Sequence, residues 1–153
     1  MIDHIPVSCK RYSKRMENKI DKAASMVARP VSIIVVDDEE LIGKAVTQAL
    51  ELFGYQVCCF SSAEDALRVF EQAPSEFDVV ISDYTMPCMD GLELIRRMRS
   101  KKQTLLTIIM TGALDQWDEQ TSKRRGVDGF FGKPFKPSEL VAFLKQALRP
   151  EQV

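Results

Sequence analysis

Three apolar runs rich in β-branched residues constrain this chain more than anything else in it: Val31–Val36, Phe77–Ser82 and Thr104–Met110. Near-continuous runs of that length are the pattern of strands buried on both faces, which need helices above and below the sheet. The intervening segments supply them. Leu41, Ala45, Ala49 and Leu52 recur at helical spacing ahead of Gly54, a residue suited to the C′ position. Ser62 followed by Asp65 resembles a capping box with Asp in place of Glu, opening a segment that carries Ala66, Leu67, Val69 and Phe70. Leu92, Leu94, Ile95 and Met98 mark a third helix, and Leu140, Val141, Phe143, Leu144 and Leu148 a last one after Pro137. Between them, Asp115 to Arg125 carries Trp117 but few other apolar residues, which predicts a fourth helix that is short or mobile, with Trp117 either packed down as core or standing on a partner-binding face. Short strands near Gln56–Phe60 and Val127–Gly132 complete five βα units, so the alternation predicts an α/β fold with a doubly wound parallel sheet.

Polar residues close these runs. Asp37 and Asp38 follow the first, Asp83 the second, Thr111 the third and Lys133 the short strand near the end. In neighbouring parallel strands these five side chains converge on one rim, where open α/β sheets bind ligands. Adjacent strands lie about 4.8 Å apart, so the carboxylates crowd one another and repel unless a cation or a proton intervenes. Oxygen ligands with room for water suit Mg²⁺, or Mn²⁺ in its place. Glu39 and Glu40 are expected merely to favour the dipole of the following helix.

The chain has 153 residues, 45% of them hydrophobic, which suits one domain with a full core. Its net charge of -1 is unevenly spread: residues 1–30 hold seven Lys or Arg against three Asp or Glu, and the acidic surplus lies in the remainder with the rim. Cys9, Cys58, Cys59 and Cys88 lack metal-ligand spacing and are expected as buried reduced thiols, the adjacent pair pointing to opposite faces of a strand. Cys88, five residues past Asp83, is the one thiol placed to make chemistry there redox-sensitive. There is no bilayer-length apolar stretch and no signal-peptide core, so a cytoplasmic protein is expected.

Four motifs in order carry a family resemblance: Val35–Glu39 (VVDDE), Asp78–Leu94 (DVVISDYTMPCMDGLEL), Ile108–Gly112 (IIMTG) and Gly129–Phe135 (GFFGKPF). Over Val31 to Arg149 the chain resembles the receiver domain of two-component response regulators. The resemblance implies a flavodoxin-like, five-stranded sheet in the order 2-1-3-4-5 flanked by five helices. It also implies Asp83 as phosphoacceptor, with Asp37, Asp38, Asp83 and the Thr85 backbone carbonyl holding Mg²⁺. Thr111 resembles the switch hydroxyl, Phe130 the switch aromatic and Lys133 the lysine that balances phosphoryl charge. A histidine kinase or histidine phosphotransfer protein is the implied donor, and the fourth helix, fifth strand and fifth helix the implied output face. A Phe at position 130 lacks the hydroxyl that Tyr supplies in relatives, so looser switching is expected. Gly112 and Ala113 stand where some relatives carry a polar residue that positions water, so modest self-dephosphorylation is expected.

The expected division is a basic extension over 1–30, a receiver domain over 31–149 and a tail over 150–153. Tyr12, Met16, Ile20, Ala23, Ala24 and Val27 recur at helical spacing in the extension, between Pro6 and Pro30. A basic leader, a helix docking on the receiver, on a second copy or on a partner, and contact with an anionic membrane all stay open for it, although no membrane partner is expected. The match ends near Arg149, so no output domain is expected to follow, and the output is expected to be contact with an unknown downstream protein or a homodimer through the output face or the N-terminal helix. With no basic recognition helix, no nucleic acid is expected as a partner. His4, the single histidine, removes histidine-based triads from consideration. An Asp-nucleophile phosphohydrolase lacks its Asp-x-Asp pattern here, and a flavodoxin-like phosphate binder would be repelled by Asp37 to Glu40. An adaptor that keeps the fold without the chemistry sits poorly with the complete residue set.

Overall fold

The structure is a computed structural model and describes residues 29–149. The basic extension up to residue 28, with Cys9 and His4, and residues 150–153 lie outside the described residues. The elements alternate as predicted: β1 (Ser32–Val36), α1 (Glu40–Leu52), β2 (Gln56–Phe60), α2 (Ala63–Gln72), β3 (Val79–Asp83), α3 (Gly91–Lys101), β4 (Leu106–Thr111), α4 (Glu119–Arg124), β5 (Gly129–Gly132) and α5 (Pro137–Ala147). Single 3-10 turns span Pro74–Glu76 and Leu114–Gln116. All strands pair in parallel in the order β2-β1-β3-β4-β5. That order is the doubly wound, flavodoxin-like topology, with β1 and β3 side by side at its centre.

Alternation along each strand builds two cores. Ile34, Val36, Val80 and Ile109 point into one with α2, α3, Trp117 and Val127. Ile33, Val35, Ile81, Ile108 and Met110 point into the other with α1 and α5. Cys58 and Cys59 part in the same way, one to each core, as neighbours on a pleated strand must. Helix ends follow their sequence signals: Ser62 Oγ accepts from the Asp65 N–H at 3.3 Å, and Gly54 takes the C′ position of α1 with φ of 91°. Asp90 caps α3 and Asp118 caps α4, each accepting from an N–H three residues on, at 2.8 and 2.6 Å.

Several strand boundaries and one helix face differ from expectation. β3 and β4 begin two residues later than predicted and run on to include Asp83 and Thr111, whose backbones pair in the sheet. On α1 the stripe Leu41, Ala45, Ala49, Leu52 does not face the core: Leu41 is 83% and Leu52 87% exposed. The buried face is Gly43, Val46, Thr47 and Leu50. This helix is apolar on two sides, and the inner side was hidden by a glycine and a threonine. Gly43 sits there because α1 passes so close to β2 that an added Cβ would lie 3.0 Å from Cys59 Sγ. Helix α4 is short, six residues, as its weak stripe predicts, and Trp117 is buried beside it. Amide exchange in α4 is expected to be faster than in α5, and slower exchange there would contradict this.

At the amino-terminal rim two aspartates are each held by an arginine. Arg29 makes a two-pronged pair with Asp78 at 2.9 Å and 2.9 Å, and Asp78 also accepts from the Ser32 N–H. Arg99 grips Asp128 at 3.2 and 3.0 Å, and Asp128 accepts from the Thr107 N–H. The opposite rim, where the strand-end acids gather, has no such balance.

Candidate functional site

Asp37 is the first residue past β1, with its N–H donating to the Phe60 carbonyl at 3.0 Å. The parallel pairing of β1 with β3 carries it beside Asp83, the last residue of β3. Asp37 is 1% and Asp83 6% exposed, whereas Asp38, one residue further out, is exposed. One carboxylate oxygen from each of the three lies within 4.8 Å of the others. Lys133, just past β5, reaches back across the sheet and places Nζ 2.8 Å from Asp37 Oδ2 and 3.1 Å from Asp83 Oδ1. It thus reaches Asp83, two strands away, and makes its shorter contact with Asp37, three strands away. The Lys133–Pro134 peptide is cis.

The remaining predicted residues surround this cluster. Thr111 is buried at the end of β4, and its carbonyl accepts the Lys133 N–H at 2.7 Å. Its Oγ1 accepts from the Ala113 N–H at 2.9 Å, which leaves the hydroxyl proton available for donation. Thr85 is exposed in the loop after Asp83. Phe130, in β5, is half-buried with its ring 6.1 Å from that of Trp117. Cys88 is exposed rather than buried, a free thiol in the loop after β3 with φ of 70°, a left-handed conformation that non-glycine residues seldom adopt.

The electrostatics follow from three acids facing one ammonium. Burial pushes the Asp83 carboxyl up to about 6 from its ordinary 3.8; the Lys133 bond opposes the rise, while the Asp37 charge and Asp38 add to it. Burial pulls the Lys133 ammonium down, but its bonds to Asp37 and Asp83 outweigh this and leave it raised. A carboxyl held near neutrality in this way marks a place where added positive charge is welcome. Oxygen donors clustered at this spacing fit a hard divalent cation.

Gly91 is a positioning residue that sequence reasoning passed over, although it directly follows the capping Asp90. Its N–H donates to the Tyr84 carbonyl at 2.9 Å, and an added Cβ would fall inside contact distance of the Asp83 carbonyl oxygen. Backbone cannot give way as a side chain can. Gly91→Ala is therefore expected to cost about 1–3 kcal/mol in urea unfolding and to displace Asp83; a cost within error of zero would contradict that packing. Beside Lys133 the surface opens into an apolar cleft of about 530 Å³ between α1 and the start of α5, lined by Leu41, Ile42, Ala45, Pro134 and Phe135 among others. Among the described residues no helix is long and apolar enough to cross a membrane.

Comparison with known proteins agrees with the fold. The family model described as the response regulator receiver domain matches residues 33–145. The alkaline phosphatase synthesis transcriptional regulatory protein PhoP of Bacillus subtilis is 32% identical over 79% of this chain and 50% of its own length. A probable transcriptional regulator, ycf27, of Guillardia theta is 39% identical over 76% of this chain and 45% of its own. The chain thus spans about half the length of these relatives. Among solved structures, chemotaxis protein CheY4 of Vibrio cholerae superposes with a TM-score of 0.69 at 29% identity, covering 78% of this chain and all of that one. With its sheet order, its rim of strand-end acids and a family match over most of its length, the chain belongs to the response regulator receiver domains of two-component signalling.

Proposed function

We propose that this chain is the phosphoacceptor of a two-component phosphorelay and that Asp83 is the residue esterified. The observation that carries the proposal is the placement of Asp83: buried at a strand end, crowded by Asp37 and Asp38, and 3.1 Å from the Lys133 ammonium. A carboxylate can attack phosphorus, forming an aspartyl P–O bond as the P–N bond of a phosphohistidine donor breaks. The donor is a histidine kinase or a histidine phosphotransfer protein. Such transfer needs positioning and charge balance more than covalent help from the protein. Asp37, Asp38, Asp83 and the Thr85 carbonyl would hold Mg²⁺, which supplies positive charge to the phosphoryl oxygens when bound. Lys133 supplies the rest, exchanging its contact with the free Asp83 carboxylate for one with the new phosphoryl group.

Esterification adds about -1.5 to -2 charge and strong acceptors to the rim. The Thr111 hydroxyl, with its proton free, donates to them and shifts the turn that leads into α4. Phe130 follows, and the surface of α4, β5 and α5 changes its affinity for a downstream protein or a second copy of the chain. The receiver domain on this proposal extends over residues 31–149. The chain acts as a signalling module with slow self-dephosphorylation: Gly112 and Ala113 offer no polar group to orient water, so a phosphoryl lifetime of minutes is expected and one of seconds would contradict this.

Acetyl phosphate with Mg²⁺ is expected to raise the intact mass by one phosphoryl group, and chelating the metal is expected to prevent it. No gain, or repeated turnover of a phosphate ester, would overturn the proposal. The donor must cover the rim, and the outward stripe of α1 with the adjoining apolar cleft is the surface available beside it. Leu41→Asp is expected to slow transfer from a histidine donor by about tenfold, an interface loss near 1.4 kcal/mol, while leaving labelling by acetyl phosphate unchanged. Equal slowing with both donors would contradict this placement.

A further inference from the structure

Trp117, the chain's single tryptophan, is 6% exposed, and its indole N–H has no hydrogen-bond partner among the described residues. A buried donor left unpaired is costly and uncommon, so the place that holds it needs a reason. The indole stands edge-on to Tyr84, ring centres 5.5 Å apart at 84°, and lies tilted against Phe130 at 6.1 Å and 30°. The Arg125 guanidinium covers it at 5.0 Å. Tyr84 directly follows Asp83 and is pinned there: its N–H donates to the Met110 carbonyl at 2.8 Å and its carbonyl accepts from Gly91. Trp117 therefore touches both the residue next to the acceptor and Phe130 of β5. It also ends the 3-10 turn Leu114–Gln116, its N–H donating to the Leu114 carbonyl at 3.0 Å, a short chain away from Thr111.

We propose that Trp117 is the positioning residue of the switch: in the unesterified protein it holds Phe130 half-buried, and it gains an acceptor for its indole N–H when the Thr111 turn rearranges. This rests on the esterification of Asp83 proposed above. When the Thr111 hydroxyl turns to an esterified Asp83, the turn closed by the Ala113 N–H bond at 2.9 Å is disturbed, and Gly112 to Gln116 carry that displacement to the indole. The unpaired donor biases the movement, because any arrangement that supplies an acceptor removes its penalty. Two conformations whose balance depends on the rim are what coupling between acceptor and surface requires.

The test is the indole ¹H–¹⁵N signal of the full chain, a single peak because there is one tryptophan, recorded with Mg²⁺ before and after adding beryllium fluoride as the phosphoryl mimic. The peak is expected to move downfield and its exchange with solvent to slow. Trp117→Phe, which keeps a ring and removes the donor, is expected to weaken beryllium fluoride binding by about fivefold or more. An indole peak that stays in place while the Thr111 and Ala113 amides move would overturn the proposal and leave the phosphoacceptor assignment standing. Wild-type affinity in a folded Trp117→Phe would overturn it as well. If the Thr111 amide does not move and acetyl phosphate adds no mass, both have failed.

Discussion

Replacing Lys133 with Met is expected to lower the unfolding free energy of the metal-free protein by about 3 kcal/mol or more at pH 7. The Asp37 carboxylate is buried, and its partners are the Lys133 ammonium at 2.8 Å and the Glu39 N–H at 2.9 Å. Asp83 shares the same ammonium at 3.1 Å. Met keeps most of the volume, so the loss is electrostatic. Removing one partner from a buried pair typically costs about 3–5 kcal/mol, because the charge left behind is neither solvated nor matched. Two signs distinguish this from a packing defect. The deficit should shrink as pH falls and the Asp83 carboxyl takes up its proton, and it should shrink on adding Mg²⁺, which replaces the missing charge. Urea unfolding of the variant and the parent, with and without the metal, measures all three. A loss below 1 kcal/mol, or one indifferent to both pH and metal, would contradict the arrangement.

Asp83→Asn should act in the opposite direction, stabilising the metal-free protein at pH 7 by about 2–3 kcal/mol. The folded Asp83 carboxyl lies at about 6 against an ordinary 3.8, so the folded protein holds that proton more tightly than the unfolded chain does. Stability from this group is complete below the unfolded value and is lost as pH rises through about 6. Asn cannot ionise, so the difference between variant and parent should open across that window and level off above it. Mg²⁺ should close the gap by stabilising the parent, and should do less for a variant that lacks one of the three carboxylates. A variant less stable than the parent at pH 7 without metal would show that the crowding of the three acids is relieved by other means.

The strands were legible in the chain because burial on both faces leaves an unbroken apolar run, and that pattern survives errors of a residue or two at the ends. Their order, by contrast, came from the family resemblance, since β-branched runs carry no information on which neighbour each will choose. The acids and the lysine stood out because each polar residue closes an apolar run, where a parallel sheet gathers its strand ends. What those residues touch was less legible. The shorter Lys133 contact is with Asp37 across three strands, a distance set by sheet twist and rotamer and absent from any local pattern. The Arg29–Asp78 and Arg99–Asp128 pairs join residues 49 and 29 apart, and nothing near either partner announces them. Helix α1 was misjudged for a different reason: Leu41, Ala45 and Leu52 make a good stripe at helical spacing, but so do Ile42, Val46 and Leu50, and glycine and threonine masked the inner face. Gly91 looks like an ordinary residue after a cap until the Asp83 carbonyl is seen against its Cα hydrogens.

The direct test of the central claim is to locate the ester. After reaction with acetyl phosphate and Mg²⁺, borohydride reduces an aspartyl phosphate to homoserine, and tandem mass spectrometry of the digested full chain identifies the residue converted. Conversion confined to position 83, and lost in Asp83→Asn, is the expected result. Homoserine at position 37 or 38, or at none of the three acids in protein that has gained the mass, would contradict the account.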